Sequence, residues 1–420
     1  MNYKNILFYL GLSLLFFSFF PIINITYSIY FDYLLSINDY VLTLAISLTL
    51  GTLFYYLSHK SRTDISLIEQ LIFIILGYFF IPLLISIPFN FSIYDMNFLN
   101  SYFESISGFT TTGFSTIINV EDIDQPLILW RSTSQWFGGL FLILATIGTI
   151  GSKQIKIKPA YLISGGASGR NFYNNFFNNF IKIFLIYFFS TLFVIFLYTL
   201  VDFRLLDSFN LAFTTISSGG FIPKNNLSDI LKTDMQIFVL ATTLIFPIIN
   251  FFLLYDVLTK QFSFRNYHED LHLFSFIIIL SLIFYFFIIP EEGFSNVFFS
   301  ITSSLSTSGI SNYSSNVDLS LFFILLAICG GSLISTSSGF KYTRMYILLK
   351  ISYQEIYRLV KPINIIDKNL YNSDTKIDDQ DVKIAFIVFI TFILSIFILS
   401  SILTLDNITF ENSFRISILT

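Results

Sequence analysis

One cysteine and three histidines among 420 residues leave few routes to covalent or metal chemistry. Cys329 has no second cysteine to pair with, which excludes an intrachain disulfide and any multi-cysteine metal site. His268 and His272 are four residues apart but lack the third ligand that a zinc site needs. With Glu269 and Asp270 between them, they are expected to be solvated at a membrane edge. No transition metal and no bound cofactor are therefore expected, and the chain carries no nucleotide-binding motif of its own.

Charge is scarce as well. Only 12% of residues are charged, against roughly 25% in an average soluble domain. The middles of the apolar runs are almost free of Asp, Glu, Lys and Arg. That counts against a proton- or sodium-coupled secondary transporter, which places ionisable residues within its spans at a midplane site. An intramembrane hydrolase is disfavoured in the same way, since no paired carboxylates, ligating histidine set or Ser/Lys pair lies at membrane depth.

What the chain has in abundance is apolar surface: 54% hydrophobic residues, including 54 phenylalanines. This composition belongs to an all-α polytopic membrane protein, because only helices or closed barrels satisfy their backbone in hydrocarbon. Runs long enough to span occur near 5–29, 38–58, 68–89, 127–150, 179–201, 235–258, 271–290, 319–350 and 382–404, which makes nine expected spans. The Phe rows at 176–196 and 274–299 read as lipid-facing or packing residues. With the N-terminus in the cytoplasm, 18 of the 23 Lys and Arg residues fall on cytoplasmic segments, among them Lys60, Arg62, Lys153, Lys156, Lys158, Lys260, Arg265 and the run from Lys341 to Lys383. The positive-inside rule thus selects this orientation. The net charge of -4 hides the separation, with basic residues on one face and most acidic ones on the other.

Between the runs, a Ser/Thr/Gly segment recurs. Ser105-Ile-Ser-Gly-Phe-Thr-Thr-Thr-Gly-Phe-Ser115 has two weaker copies, Leu211-Ala-Phe-Thr-Thr-Ile-Ser-Ser-Gly-Gly-Phe221 and Ile301-Thr-Ser-Ser-Leu-Ser-Thr-Ser-Gly-Ile310. Irregular backbone at membrane depth survives only inside protein or against a water-filled cavity. Glycine permits the angles that turn successive carbonyls inward to replace an ion's water. The candidate ion-binding residues are Thr111, Thr112 and Gly113, then Ser218, Gly219 and Gly220, then Thr307, Ser308 and Gly309. Aligned on Gly113, Gly220 and Gly309, each copy has an aromatic residue eleven positions earlier: Tyr102, Phe209 and Phe298. The doubled glycine of the second copy leaves its register open by one residue. Acidic residues stand further upstream, at Asp95, Asp207 and Glu291 with Glu292. Each copy reads as a half-helix entered from outside, its negative end aimed at the membrane centre where it favours a cation.

The repeating unit is helix, half-helix, filter, helix, and the expectation is quasi-fourfold repetition around one pore. Two extra N-terminal helices occupy 1–64. Repeats follow at 65–152, 153–260 and 261–352, and a cytoplasmic link with an incomplete fourth repeat fills 353–420. Phe414 matches Phe209, so the fourth filter is expected eleven residues later, beyond Thr420.

These residues resemble the Trk/Ktr/HKT superfamily of potassium transporters, and within it the TrkH subunits, over nearly the whole chain. The carriers are Thr-Thr-Thr-Gly-Phe at 110–114, Trp130-Arg-Ser-Thr-Ser-Gln-Trp-Phe-Gly-Gly139, and Cys329-Gly-Gly-Ser-Leu-Ile-Ser-Thr-Ser-Ser-Gly-Phe-Lys341. The two extra helices favour TrkH over KtrB. The third copy departs from the pattern, with Ile310 where an aromatic residue follows the other filter glycines.

The resemblance implies potassium uptake across the bacterial inner membrane, with a gate loop at 330–341 comprising Gly330, Gly331, Ser335, Thr336, Ser337, Ser338, Gly339 and Lys341. The density of small residues there suits unwinding without the analogy, although close helix packing would also use them. The resemblance also implies a homodimer and a cytosolic TrkA-type nucleotide-binding ring docked on basic segments 151–182 and 341–383; no nucleic acid is expected as a partner. Arg131, one turn inside its span, is expected either to brace a half-helix or to snorkel to the headgroups.

Overall fold

The computed structural model describes residues 3–58, 66–92, 94–150, 176–258, 267–311, 319–360, 369–370 and 377–419. Lys60, Arg62, Lys153, Lys156, Lys158, Lys260 and Arg265, with most of the basic 151–182 segment, lie outside these residues. The described chain is helical in its apolar runs apart from breaks at 244–250 and 330–341, as an all-α membrane protein with buried irregular backbone can be.

Helices α1 (Tyr3–Phe17) and α2 (Phe19–Tyr30) form one long rod, and α3 (Ile37–Ser58) packs back along it. Helix α4 (Leu67–Phe91) starts at a capping box: the Glu69 amide donates to the Ser66 hydroxyl at 3.4 Å and the Ser66 amide to the Glu69 carboxylate at 3.0 Å. It continues through Pro82 and Pro88, as membrane helices tolerate when neighbours re-satisfy the backbone. After half-helix α5 (Phe98–Phe109) come α6 (Gln125–Ile150), α7 (Phe176–Leu200) and half-helix α8 (Leu205–Ser217). Next are α9 (Asp234–Thr243), α10 (Phe251–Leu258), α11 (His268–Ile283) with its π-turn extension Phe284–Ile288, and half-helix α12 (Phe294–Leu305). Helices α13 (Ser320–Cys329), α14 (Tyr342–Val360), α15 (Asp379–Thr404) and α16 (Phe410–Leu419) complete the order.

Two compact units divide between Val239 and Leu240, inside α9. In the first, α6 is flanked by both half-helices, α5 and α8. Its Trp130 indole donates to the Ile85 carbonyl on α4 at 3.0 Å, and its Trp136 indole to the Thr191 hydroxyl on α7 at 2.8 Å. A side chain at Gly138 would lie 1.9 Å from the Phe109 carbonyl oxygen, and one at Gly139 2.8 Å from the Ser217 Cβ. The Trp130–Gly139 motif is therefore what lets the ends of two half-helices press on one helix.

Among the described residues, six helical segments are long and apolar enough to cross a membrane: Tyr3–Tyr30, Leu34–Ser58, Ile68–Phe91, Phe180–Leu200, His268–Ile288 and Asp379–Thr404. Three of the nine expected spans depart from a plain apolar helix, the last of them at the interruption expected at 330–341. Helix α6 is 26 residues long but polar from Arg131 to Gln135. The expected span 235–258 is two helices separated by a turn at 244–250, and 319–350 is two helices separated by 330–341. Pro247 lies in the first break, where its missing amide and its ring weaken the helix without by themselves ending it, as Pro82 and Pro88 within α4 show.

Candidate ion-filter turns and helix-break loop

Four half-helices start in the same register. Tyr102, Phe209, Phe298 and Phe414 are each the fifth residue of their helix. In three of them the aromatic stacks on the first residue of the helix: Phe98 on Tyr102 at 5.9 Å, Phe294 on Phe298 at 5.8 Å and Phe410 on Phe414 at 5.9 Å.

The three Ser/Thr/Gly turns that follow share a backbone geometry. Thr111, Ser218 and Thr307 have φ of 58°, 56° and 58°, and two residues later Gly113, Gly220 and Gly309 have φ of 84°, 85° and 66°. The amides of Thr112, Gly219 and Ser308 donate to the carbonyls of Ser107, Thr214 and Ser303 at 2.9, 2.8 and 3.3 Å. The amides of Thr111, Ser218 and Thr307 donate to Gly108, Thr215 and Ser304 at 3.0, 3.2 and 3.0 Å. Non-glycine residues rarely adopt positive φ, so its recurrence at one register position in three unlike sequences reports a constrained turn. The doubled glycine of the second copy aligns on Gly220.

Each turn is braced from behind. In the first, the Ser107 hydroxyl donates to the Phe114 carbonyl at 2.5 Å, and in the third the Ser303 hydroxyl donates to the Ile310 carbonyl. In the second, Gln135 of α6 does this work. Its amide donates to the Gly219 carbonyl at 2.5 Å, and its carbonyl accepts from the Thr214 hydroxyl at 2.9 Å and the Phe221 amide at 3.2 Å. The first two turns also meet, because a Cβ on Gly113 would lie 2.5 Å from the Gly219 carbonyl oxygen.

Arg131 does not snorkel. It is buried and its Nε donates to Glu104 at 2.9 Å, while Nη2 donates to the Ser115 hydroxyl at 3.0 Å. Glu104 also accepts the Thr116 amide at 2.9 Å, and the guanidinium lies 4.2 Å above the Phe221 ring. Sequence reading located acids near the half-helix starts and missed Glu104. A lone carboxylate in an apolar half-helix was the available signal, since at membrane depth it requires a partner. Gln135 was likewise missed.

In the second unit, Gly330, Gly331, Ser335, Thr336, Ser337, Ser338, Gly339 and Lys341 all lie in non-helical backbone between α13 and α14. Gly330 has φ 63°, Gly339 84° and Lys341 81°. The loop joins the 244–250 break through backbone bonds. Ser332 donates to the Ile248 carbonyl at 2.8 Å, Ser337 to the Pro247 carbonyl at 3.0 Å, and the Phe251 amide to the Ile334 carbonyl at 2.7 Å. It also touches the third turn, where the Ser338 amide donates to the Thr307 hydroxyl at 2.8 Å. Each break thus supplies partners for backbone groups the other has freed.

Glu269 and Asp270, which stand between the histidines expected to be solvated, are buried. Glu269 accepts the Leu333 amide at 3.1 Å and Asp270 the Asn250 amide at 2.8 Å, so adjacent acids at the start of α11 hold one break each.

No protein-family profile matches the chain. An uncharacterised cation transporter of Methanocaldococcus jannaschii is 26% identical over 325 residues, covering 74% of this chain and 65% of the relative. The Trk system potassium uptake protein TrkH of Escherichia coli K12 is 23% identical over 348 residues, 79% of this chain and 71% of that protein. TrkH of Halomonas elongata is 24% identical over 386 residues, 87% of this chain and 79% of that protein. The chain thus spans about two thirds to four fifths of these relatives. The crystal structure of the potassium transporter TrkH from Vibrio parahaemolyticus matches with a TM-score of 0.84 at 19% identity, covering all of this chain and 90% of that one. The chain is a multi-pass membrane homologue of the TrkH-type Trk system proteins and has their fold.

Proposed function

We propose that this protein takes up potassium across the bacterial inner membrane, with its N-terminus in the cytoplasm. The observation that carries the reading is the alternation of left-handed residues at Thr111 and Gly113, Ser218 and Gly220, and Thr307 and Gly309, each directly after a half-helix. Such alternation turns carbonyls to one side, where neutral oxygens can take the place of a cation's water. Each half-helix points its negative end at its own turn, which favours the same charge. Preference for K+ over other cations is carried over from the potassium uptake relatives. Transport of this kind breaks no covalent bond.

In this reading the 330–341 loop is the gate. Its support is the set of bonds to the 244–250 break and to Thr307, which give the loop defined partners to release. A TrkA-type nucleotide-binding ring on the basic cytoplasmic segments would supply regulation, and a homodimer is the assembly. Glu269 and Asp270, the acids that a secondary transporter could use for coupling, each accept a backbone amide at a helix break, which gives them a structural role.

The natural full-length gene is expected to restore growth of an uptake-deficient bacterium at limiting K+, and the purified protein to carry Rb+ into proteoliposomes. Growth and flux both equal to an empty-vector control would remove the assignment. Deleting Ser335 to Gly339 is expected to raise Rb+ flux several-fold, while unchanged flux in a folded deletion would make the loop a packing element.

A further inference from the structure

Lys341 ends the helix-break loop and stands directly before α14. All of its hydrogen bonds among the described residues go to oxygens of the loop: the Ser335 carbonyl at 3.3 Å, the Ser335 hydroxyl at 3.0 Å and the Ser337 carbonyl. An ammonium has three donors and nothing to accept, so these oxygens satisfy it completely.

The placement is otherwise unfavourable. Lys341 has φ 81°, a left-handed conformation that costs a residue with a side chain. It also precedes the N-terminus of α14, whose dipole disfavours a cation. The charged groups whose fields reach it are Arg344, which opposes its charge, and Glu269, which favours it. The oxygen cradle is therefore what holds the ammonium in place. It is itself rigid: the Ser335 and Ser337 hydroxyls lie 2.9 Å apart, the Gly331 amide donates to the Ser337 hydroxyl at 3.0 Å, and the next residue, Ser338, is bonded to Thr307.

We infer that the Ser335–Ser337 cradle is a monovalent-cation site, filled by the Lys341 ammonium in the arrangement seen here and open to K+ once that ammonium leaves. Two backbone carbonyls and a hydroxyl are neutral, hard oxygen donors of the type that replaces the water shell of an alkali cation. The absence of a carboxylate among them suits a single positive charge rather than Ca2+ or Mg2+, whose protein sites use carboxylates. The consequence for transport rests on the reading of 330–341 as a gate: a tethered cation keeps the loop folded, and its exchange for a permeating ion releases it.

The test is anomalous scattering from Rb+ in crystals of the full-length protein. Lys341→Met is expected to show Rb+ between the Ser335 and Ser337 carbonyls where the unmodified protein has none, together with a several-fold rise in Rb+ flux. No Rb+ at the cradle in Lys341→Met would overturn the site. Should that variant fail to fold, Lys341→Arg carries the test, because its guanidinium keeps the cradle filled. Its flux is expected at or below the unmodified level, and a rise would overturn the inference. Deleting Ser335 to Gly339 separates the two readings. Raised flux there with no Rb+ in Lys341→Met keeps the gate and removes the site, whereas unchanged flux with Rb+ present keeps the site and removes the gate.

Discussion

Arg131, on the helix that follows the first Ser/Thr/Gly turn, donates to Glu104 in the half-helix that precedes it at 2.9 Å, and both side chains are buried. The pair ties the entry of the turn to its exit, because Glu104 also accepts from Ser115 and Thr116 just beyond Gly113. It reaches the second turn as well, through the guanidinium above Phe221.

Removing one partner of this pair leaves a buried charge uncompensated, which costs about 3–5 kcal/mol in comparable sites. Arg131→Met and Glu104→Gln are each expected to lower the melting temperature in detergent and to weaken Rb+ over Na+ discrimination. The double variant should recover part of the stability. Additive losses in the double-mutant cycle would mean the two side chains act independently.

Under the proposed filter reading, the turn glycines are expected to differ in tolerance. Gly113 combines φ 84° with a carbonyl oxygen 2.5 Å from any added Cβ, whereas Gly309 has φ 66° and, among the described residues, no atom within 4 Å of one. Gly309→Ala therefore carries conformational strain of roughly 1–2 kcal/mol, while Gly113→Ala must also displace the second turn. Growth at graded K+ in an uptake-deficient strain should fall in the order Phe189→Leu, Gly309→Ala, Gly113→Ala. Phe189 is 55% exposed on α7 and serves as the neutral control. Equal growth of the two glycine variants would contradict the geometry.

Gln135 donates to the Gly219 carbonyl of the second turn and accepts from two donors around it. Gln135→Leu strands those groups, each at a cost of about 1–3 kcal/mol. Cation selectivity is expected to fall further than total flux does. Retained Rb+ over Na+ preference with lowered expression would assign Gln135 to folding alone.

Glu269 and Asp270 hold the two helix breaks separately. Asp270→Ala frees the Asn250 amide at the 244–250 turn, and Glu269→Ala frees the Leu333 amide in the loop. Hydrogen exchange is expected to rise at 244–252 in the first variant and at 330–341 in the second, with each change spreading into the other segment through the bonds at Ile248 and Ile334. Protection lost at one segment only would show that the breaks open independently.

The features legible in the sequence were those governed by local composition and register. Hydrocarbon tolerates only internally satisfied backbone, so 54% apolar residues dictated helices, and the Ser/Thr/Gly segments marked where helices end. The eleven-residue spacing from aromatic to glycine marked the fifth residue of each half-helix. Tertiary structure decided how charges and backbone groups were paired. Arg131 and Glu104 are 27 residues apart in the chain, and Gln135 lies 84 residues from Gly219, separations over which no periodicity links a donor to its acceptor. The burial of Glu269 and Asp270 was not legible in the sequence, because their amide partners belong to two helix breaks elsewhere in the chain. The 244–250 break was hidden inside an apolar run, for Pro247 alone can be absorbed by a membrane helix, as Pro82 and Pro88 are in α4. What makes this proline a break is the 330–341 loop, which supplies partners for the backbone groups that unwinding exposes.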